Sequence, residues 1–312
     1  MKIVLLTTDN RDHDHDFGAA APRFGTAPEA LLQGLAQIPE LEVHVVSCVH
    51  QPVAAPQKLA ANIFYHAVVV PRWGWMRTGY LGCIRAVRRK LRQLNPDLVH
   101  GQGTERDCAI SAVSSGYPNV LTIHGNMRMV AAVYGARPFS FFWLAARLER
   151  FTLPRTHGVV CITHYTQQAV QSLAPRTWVL PNAVDVAFFD LTPRPDPAAP
   201  PMILCVGLIT ARKNQNDFIR ALDSLVRERP LRVVFLGKID DGEYGREFQQ
   251  LLRERSWCEH VPFSNRPKVR EYFQAATVVA LPTREDNCPM VVLEAMAAGV
   301  PVIASRVGGV PD

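Results

Sequence analysis

Two carboxylates, Asp286 and Glu294, and one basic pair, Arg212 and Lys213, are the residues of this chain best suited to chemistry on a polar, anionic ligand. Asp286 falls in a polar loop, residues 283–288, behind a short apolar run at 278–281. That run is rich in β-branched residues, as a parallel strand buried on both faces requires. Pro289 then opens a helix-forming segment at the position where a missing N–H costs nothing. Glu294 lies about a turn and a half into that helix by the 3.6-residue repeat. Gly299 offers a stop, Pro301 forbids continuation, and residues 302–304 read as the next strand. A carboxylate among Val291, Val292, Leu293, Ala295 and Ala297 is costly unless it is paired or hydrogen-bonded. Its partner is either a basic side chain or the hydroxyls of a sugar or ribose.

The elements that must position these groups are strands feeding loops. In an open α/β sheet, ligands bind beyond the carboxyl ends of the strands, where helix N-termini present free N–H groups and a positive dipole end. Asn287, Pro289, Met290 and Val291 occupy such a strand-to-helix passage. Arg212 and Lys213 adjoin another, between the apolar run 203–206 and a helical segment at 215–229, where they could neutralise a diphosphate. A basic pair of this kind is ordinarily solvent-facing. His124 follows the run 120–123 at a third strand end, where a lone His is more often structural. Gly25 precedes a helix-like run at 28–37, behind the first strand at 2–6. A Gly-containing turn there lets a diphosphate or an acceptor approach the backbone.

The stretch from residue 278 to the C-terminus resembles the retaining glycosyltransferases of family 4, which have the GT-B fold of two facing Rossmann-like, doubly wound parallel-sheet domains. The family's signature is an acidic residue, a seven-residue spacer, Glu followed by Ala-Met-Ala, then Gly, Pro-Val and a Gly pair. Here it stands as Asp286, Glu294-Ala295-Met296-Ala297, Gly299, Pro301-Val302 and Gly308-Gly309. The first position is usually Glu in the family; Asp286 occupies it here, with Glu285 directly before. The resemblance implies sugar transfer from a nucleoside diphosphate sugar (UDP or GDP) to an acceptor hydroxyl, with retention, in polysaccharide or glycolipid synthesis. It gives Arg212 and Lys213 the leaving diphosphate, Glu294 the ribose or donor sugar, Asp286 the donor sugar hydroxyls and His124 a hydrogen bond to the transferred sugar. Relatives carry glycines near Gly25 that face the donor diphosphate, and their loop before the helix at 269–275 borders the base. The implied cofactor list is empty: relatives work without metal, the basic pair taking that part.

Length and composition fit this. At 312 residues, two domains are the prior. The expected division is 1–190, a proline-rich linker at 191–201 and 202–312, because Pro193, Pro195, Pro197, Pro200 and Pro201 suit neither helix nor central strand. Seven cysteines without close pairs suggest reduced thiols, no metal cluster and a cytoplasmic setting. The apolar run after Met1-Lys2 is too short for a signal peptide or a membrane span. A net charge of +6 suits anionic substrates or an anionic membrane surface. No nucleic-acid partner is expected.

Further strands are expected at 43–48, 67–70, 97–100, 159–162 and 231–236, and further helices at 165–173 (capped by Thr163) and 243–255. The His/Asp-rich loop at 9–16 reads as solvated rather than as a metal site. A helix over 79–94 sets Arg85, Arg88, Arg89, Lys90 and Arg92 against Ile84, Val87, Leu91 and Leu94. That basic face reads first as solvated; peripheral contact with an anionic leaflet, with Trp73 and Trp75 at the interface, is the functional reading. The aromatic run at 138–153 reads as core or interdomain packing, and Glu105 as a weaker acceptor-side candidate. The acceptor itself is expected to be a glycan or a lipid-linked glycan. The chain also ends where the family continues with further elements, which reads as a fragment or an incomplete gene product. The rival function is a non-catalytic protein binding a glycan or partner on the same fold. A nicotinamide-dependent dehydrogenase is disfavoured because no GxGxxG follows the first strand.

Overall fold

A computed structural model describes residues 1–262 and 265–312. The chain divides into two compact units, one of residues 1–183 with Asp312, the other of residues 184–311.

In the first unit, β1 (Lys2–Leu6), β2 (Glu42–Val49), β3 (Lys58–Ala60), β4 (Ile63–Val69), β5 (Leu98–Gln102), β6 (Asn119–Ile123), β7 (Val159–Cys161) and β8 (Thr177–Val179) form one sheet, ordered β3-β4-β2-β1-β5-β6-β7-β8. All neighbours are parallel except the β3–β4 pair. Its helices are α1 (Asn10–His13), α2 (Thr26–Ala36), α3 (Leu81–Leu94), α4 (Asp107–Val113), α5 (Met127–Val133), α6 (Phe141–Thr152) and α7 (His164–Val170). Two-residue alternation explains why both sheet faces are covered. Val4 and Leu6 join the core beneath α3 and α4, with Val87, Leu91 and Ala109, while Leu5 joins Leu32 of α2, Val45 and Ile63 on the other side.

The second unit holds β9 (Met202–Val206), β10 (Arg232–Leu236), β11 (Cys258–Val261), β12 (Val278–Leu281) and β13 (Val302–Ala304), all parallel, in the order β11-β10-β9-β12-β13. Helices α8 (Gln215–Glu228), α9 (Glu243–Arg253), α10 (Arg266–Ala275) and α11 (Met290–Ala297) cover it. Leu204, Val234, Leu236 and Val279 face α10 and α11; Cys205, Val233, Phe235 and Ala280 face α8 and α9.

The unit boundary differs from the expected one. Phe188 is fully buried in the second unit's core, with Val184 and Leu191 packed beside it, so the chain commits to that core ahead of the proline-rich segment. One local expectation shifts and another holds. Of the segment 261–263, Val261 ends β11, and Phe263 lies outside the described residues. Pro289 sits at the cap of α11 rather than inside its first turn. Thr163 does cap α7, accepting from the Thr166 N–H at 3.1 Å.

Candidate functional site

In each unit the strand order reverses at one point, and the loops beyond that point diverge to leave a crevice. In the second unit the reversal lies between β9 and β12. The loop after β9 carries Arg212 and Lys213; the loop after β12 carries Glu285 and Asp286. The two loops are stapled together. The Arg284 N–H and the Thr283 hydroxyl donate to the Arg212 carbonyl at 2.8 and 3.1 Å. Asn214, in the left-handed region at φ +60°, turns the first loop into α8.

The side chains converge on one charge cluster. Lys213 Nζ donates to Asp286 Oδ2, and Arg212 Nη1 lies 3.5 Å from Asp286 Oδ1 and 3.8 Å from Glu285 Oε2. Arg212 also donates to the Glu285 carbonyl at 2.8 Å. Burial pulls the Lys213 pKa down against the opposing pull of Asp286, and burial pushes that of Glu285 up. Two cations and two carboxylates in a poorly hydrated pocket nearly cancel. An anionic ligand arriving there would replace carboxylate oxygens on donors that are already aimed and partly dehydrated.

The glycine pair closes the back of this cluster. Gly308 has φ +55°, and a Cβ there would stand 2.1 Å from the Asp286 carbonyl oxygen. That oxygen accepts from the Gly309 N–H at 3.0 Å. Only glycine permits this approach, which fixes the backbone beneath the Asp286 carboxylate. The Asn287 N–H donates to Asp286 Oδ1 at 3.2 Å. Pro289 caps α11, so the N–H groups of Met290 and Val291 lie in its first turn, without intrahelical acceptors.

Glu294 is buried in α11 and has the basic partner that its apolar surroundings demand: Arg266 Nη1 donates to Oε1 at 2.8 Å. Burial raises the Glu294 pKa, opposed by Arg266. Arg266 Nη2 and Arg270 Nη1 each lie 3.7 Å from Asp185 Oδ2. The sequence reading missed Arg266 because it enters from α10, with nothing in its own segment to mark it.

His124 and Gly25 belong to the first unit. Gly25 is the exposed cap of α2. His124 sits beyond β6, its Nε2 2.7 Å from Gln102 Oε1; Gln102 Nε2 lies 3.1 Å from His100 Nε2, which reaches the Thr122 hydroxyl at 2.7 Å. Burial lowers both histidines to about 4, opposed at His124 by a hydrogen bond with Asn182. A neutral His124 at neutral pH is suited to hydrogen bonding rather than to carrying charge. Glu105 curls over Gly103 at φ +86°, and burial raises its pKa. It lines a cavity of about 520 Å³ between α6 and the turn that precedes α3, with Tyr80, Leu148, Arg150 and Phe151.

Three sequence expectations change in this unit. The loop at 9–16 is not solvated throughout. Asp9 and Arg11 are fully buried and bonded at 2.7 Å, and the Tyr65 hydroxyl donates to Asp9 at 2.6 Å. The aromatic run is core only in part: Leu153 and Ala145 are buried and Leu148 packs on the core, while Phe139 is 81% exposed and Phe141 and Phe151 are exposed as well. Trp75 does not share the surface of Trp73; it stacks on His50, ring centres 4.0 Å apart. The basic face of α3 is exposed at Arg85, Arg88, Arg89 and Arg92, with Cys83, Ala86, Val87 and Leu91 buried beneath. The scattered cysteines conceal one cluster: Sγ of Cys48, Sγ of Cys83 and a carboxylate oxygen of Asp107 lie within 4.8 Å of one another, all buried. The Cys48 thiol is held well above its usual pKa by its hydrogen bond with Cys83 and by burial, and burial raises Asp107 too. Among the described residues, no helix is long and apolar enough to cross a membrane.

Comparison with known proteins accords with this architecture. Residues 29–188 match the profile of Glycosyltransferase Family 4, and residues 200–312 that of Glycosyl transferases group 1. An uncharacterized glycosyltransferase of Methanocaldococcus jannaschii is 33% identical over 111 residues, 36% of this chain and 28% of the relative. The GDP-mannose-dependent alpha-(1-6)-phosphatidylinositol monomannoside mannosyltransferase of Mycolicibacterium smegmatis is 29% identical over 215 residues, 60% of this chain and 54% of the relative. The chain thus spans about half the length, or less, of these curated relatives. Among solved structures, sucrose-phosphate synthase from Thermosynechococcus elongatus superposes at a TM-score of 0.74 with 18% identity, covering 99% of this chain and 82% of that one. The fold is GT-B.

Proposed function

The chain belongs to glycosyltransferase family 4, and from that premise we propose that it moves a sugar from a nucleoside diphosphate sugar to a hydroxyl of a glycan or lipid-linked acceptor, with retention at the anomeric carbon. The observation that carries this reading is the convergence of Arg212 and Lys213 at the second unit's strand-order reversal, on loops tied to each other and to Asp286. In the proposed reaction the bond from the anomeric carbon to the diphosphate oxygen breaks through an oxocarbenium-like state. The acceptor oxygen bonds to the same face of that carbon, its hydroxyl proton passing to an oxygen of the departing diphosphate, which takes up the negative charge of the broken bond. Arg212, Lys213 and the first-turn N–H groups of α11 stabilise that charge electrostatically, without rearranging during the reaction. Asp286, its backbone fixed by Gly308 and Gly309, accepts from donor sugar hydroxyls, with Glu285 beside it to share that part. Glu294 holds the ribose or the sugar, its carboxylate kept in place by Arg266. His124, neutral, gives the transferred sugar a hydrogen bond. Asn287, Pro289, Met290 and Val291 form the wall against which the donor lies, and Gly25 is the first unit's approach point for the diphosphate.

The mycobacterial relative's name specifies GDP-mannose and a phosphatidylinositol mannoside; a GDP-linked hexose is therefore the first donor to try, with the UDP sugars after it. The exposed Trp73 and the basic face of α3 suit a cytoplasmic protein that touches an anionic leaflet peripherally, each Lys or Arg adding about 1 kcal/mol near the surface. The direct test is a thermal-shift screen across nucleoside diphosphates, because a ligand at 100 times its Kd adds about 2.7 kcal/mol to the native state. A diphosphate that shifts the wild type and fails to shift Lys213→Ala, which also loses donor hydrolysis and transfer, supports the assignment. Full activity in Lys213→Ala overturns it.

A further inference from the structure

The cysteine–aspartate cluster of the first unit has no part in the donor chemistry, and three separate elements build it. Cys48 is next to last in β2, Cys83 stands in the first turn of α3, and Asp107 opens α4. Their two Sγ atoms and one carboxylate oxygen lie within 4.8 Å of one another. The Cys48 thiol hydrogen-bonds with both Cys83 and Asp107. Backbone contacts fix where these groups stand. Tyr80 leads into α3 from the left-handed region at φ +63°, and a Cβ on Gly82 would stand 2.6 Å from the Gly74 Cα, so α3 begins pressed against the turn before it. Cys83 follows directly, its Sγ 3.9 Å from the Gly74 carbonyl oxygen. Cys48 is held in register with Val68 of β4.

This set has the size and chemistry of a metal site. Tetrahedral zinc binds thiolate sulfur at about 2.3 Å and carboxylate oxygen at about 2.0–2.2 Å, which sets neighbouring ligand atoms roughly 3.5–3.8 Å apart. Ligand atoms already within 4.8 Å of one another close onto such an ion by side-chain movement alone. A disulfide would need the sulfurs at about 2.05 Å and would leave the carboxylate no part, so the three-membered set favours a cation. Two sulfurs select Zn²⁺ over Mg²⁺ and Ca²⁺, which take oxygen ligands. Cys108, next along α4, carries a buried thiol that interacts with Cys83 and Asp107 and can complete a tetrahedron. Cys48 and Asp107 each keep 6% of their surface exposed, so the cluster is not sealed from solvent.

We infer that Cys48, Cys83 and Asp107 form a structural site for a thiophilic divalent cation, Zn²⁺ foremost, which ties the starts of α3 and α4 to the end of β2. Both thiols release their protons to solvent on binding, and the one negative charge left by three anionic ligands and a dication is met by Arg106, the neighbour of Asp107. The inference is independent of the transferase reading, since it involves neither donor nor acceptor. The test is titration of the whole chain, stripped of metal and kept reduced with a phosphine, with Co²⁺ and then Zn²⁺, followed by absorption and by thermal unfolding. The expected result is a single equivalent of Co²⁺ giving a thiolate-to-metal charge-transfer band with tetrahedral d–d absorption. Zn²⁺ should displace it and raise Tm, while Mg²⁺ does neither. Affinity should fall at least about tenfold in Cys83→Ser and in Asp107→Asn and stay unchanged in Cys161→Ser, which replaces a buried cysteine outside the cluster. The wild-type spectrum keeps the test open if the variants in the cluster fail to fold. Absence of the thiolate band in the wild type overturns the inference, as do wild-type affinity in Cys83→Ser and loss of the band in Cys161→Ser. Peptide mapping of the non-reduced chain that joins Cys48 to Cys83, with no metal taken up after reduction, would overturn it in favour of a disulfide.

Discussion

Replacing Gly308 with Ala tests how the signature's glycine pair sets the donor carboxylate. At φ +55° an Ala pays about 1–2 kcal/mol for left-handed backbone. Its Cβ would stand 2.1 Å from the Asp286 carbonyl oxygen, closer than any real Cβ contact, so one of the two chains must move by about an ångström. That movement breaks the 3.0 Å bond from the Gly309 N–H to the same oxygen, costing about 1 kcal/mol more. The total is about 2–3 kcal/mol. Gly135 is the matched control: its φ is +53° and nothing lies within 4 Å of its Cβ position, so Gly135→Ala should cost about 1–2 kcal/mol, the backbone share alone. Urea denaturation of both variants gives the difference, and calorimetry with the best nucleoside diphosphate gives the functional consequence. Gly308→Ala should also lose at least tenfold in diphosphate affinity, because the backbone that moves carries the Asp286 side chain holding Lys213. Equal destabilisation of the two variants, or unchanged diphosphate affinity in Gly308→Ala, would refute the claim that this glycine positions the carboxylate.

Arg266→Met should cost about 3–5 kcal/mol, since it leaves Glu294 as a buried carboxylate without its partner; recovery of part of that loss as the pH is lowered and Glu294 takes a proton checks the cause, and an unchanged urea midpoint counts against it. Asp9→Asn should cost a similar amount, about 3–5 kcal/mol, because it strips the fully buried Arg11 guanidinium of its counter-charge; a loss under about 1 kcal/mol would show the pair to be dispensable. His100 and His124 are held near 4 in the folded protein against 6.5 when unfolded, chiefly by burial. A depressed histidine binds its proton more readily in the unfolded chain, so stability is full above pH 6.5 and falls as pH drops towards 4. The loss is at most about 3 kcal/mol per ring. Urea midpoints at pH 7, 5.5 and 4.5 should decline in that order and decline less in His100→Asn; a flat profile contradicts the assignment.

What the sequence disclosed and what it hid divide along the range of the physics involved. Strands β12 and β13 end where they were read, because a β-branched run, a proline at a helix start and a glycine at its end are signals written within a few residues. The same local rules put Arg212 and Lys213 at a strand-to-helix turn. They could not say that the turn lies against the Asp286 loop, since that follows from β9 and β12 being neighbours in the sheet. The partners that decide each charge are more distant still. Arg266 reaches Glu294 from another helix, and Asp12 finds His50 across two strands of the other sheet. A charged residue in a sequence names its need for a partner without naming the partner. As core, the aromatic run at 138–153 held only in part, for a different reason. Hydrophobicity measures what a side chain would gain by burial and leaves open whether anything covers it, and around Phe139, Phe141 and Phe151 nothing fully does. Those exposed rings stand on α6 and the turn before it, the helix that also carries Leu148, Arg150 and Phe151 in the wall of the cavity beside Glu105. The apolar surface that misled the core assignment therefore adjoins the side of the first unit where the acceptor is expected, the place where unburied apolar area on a protein most often has a use.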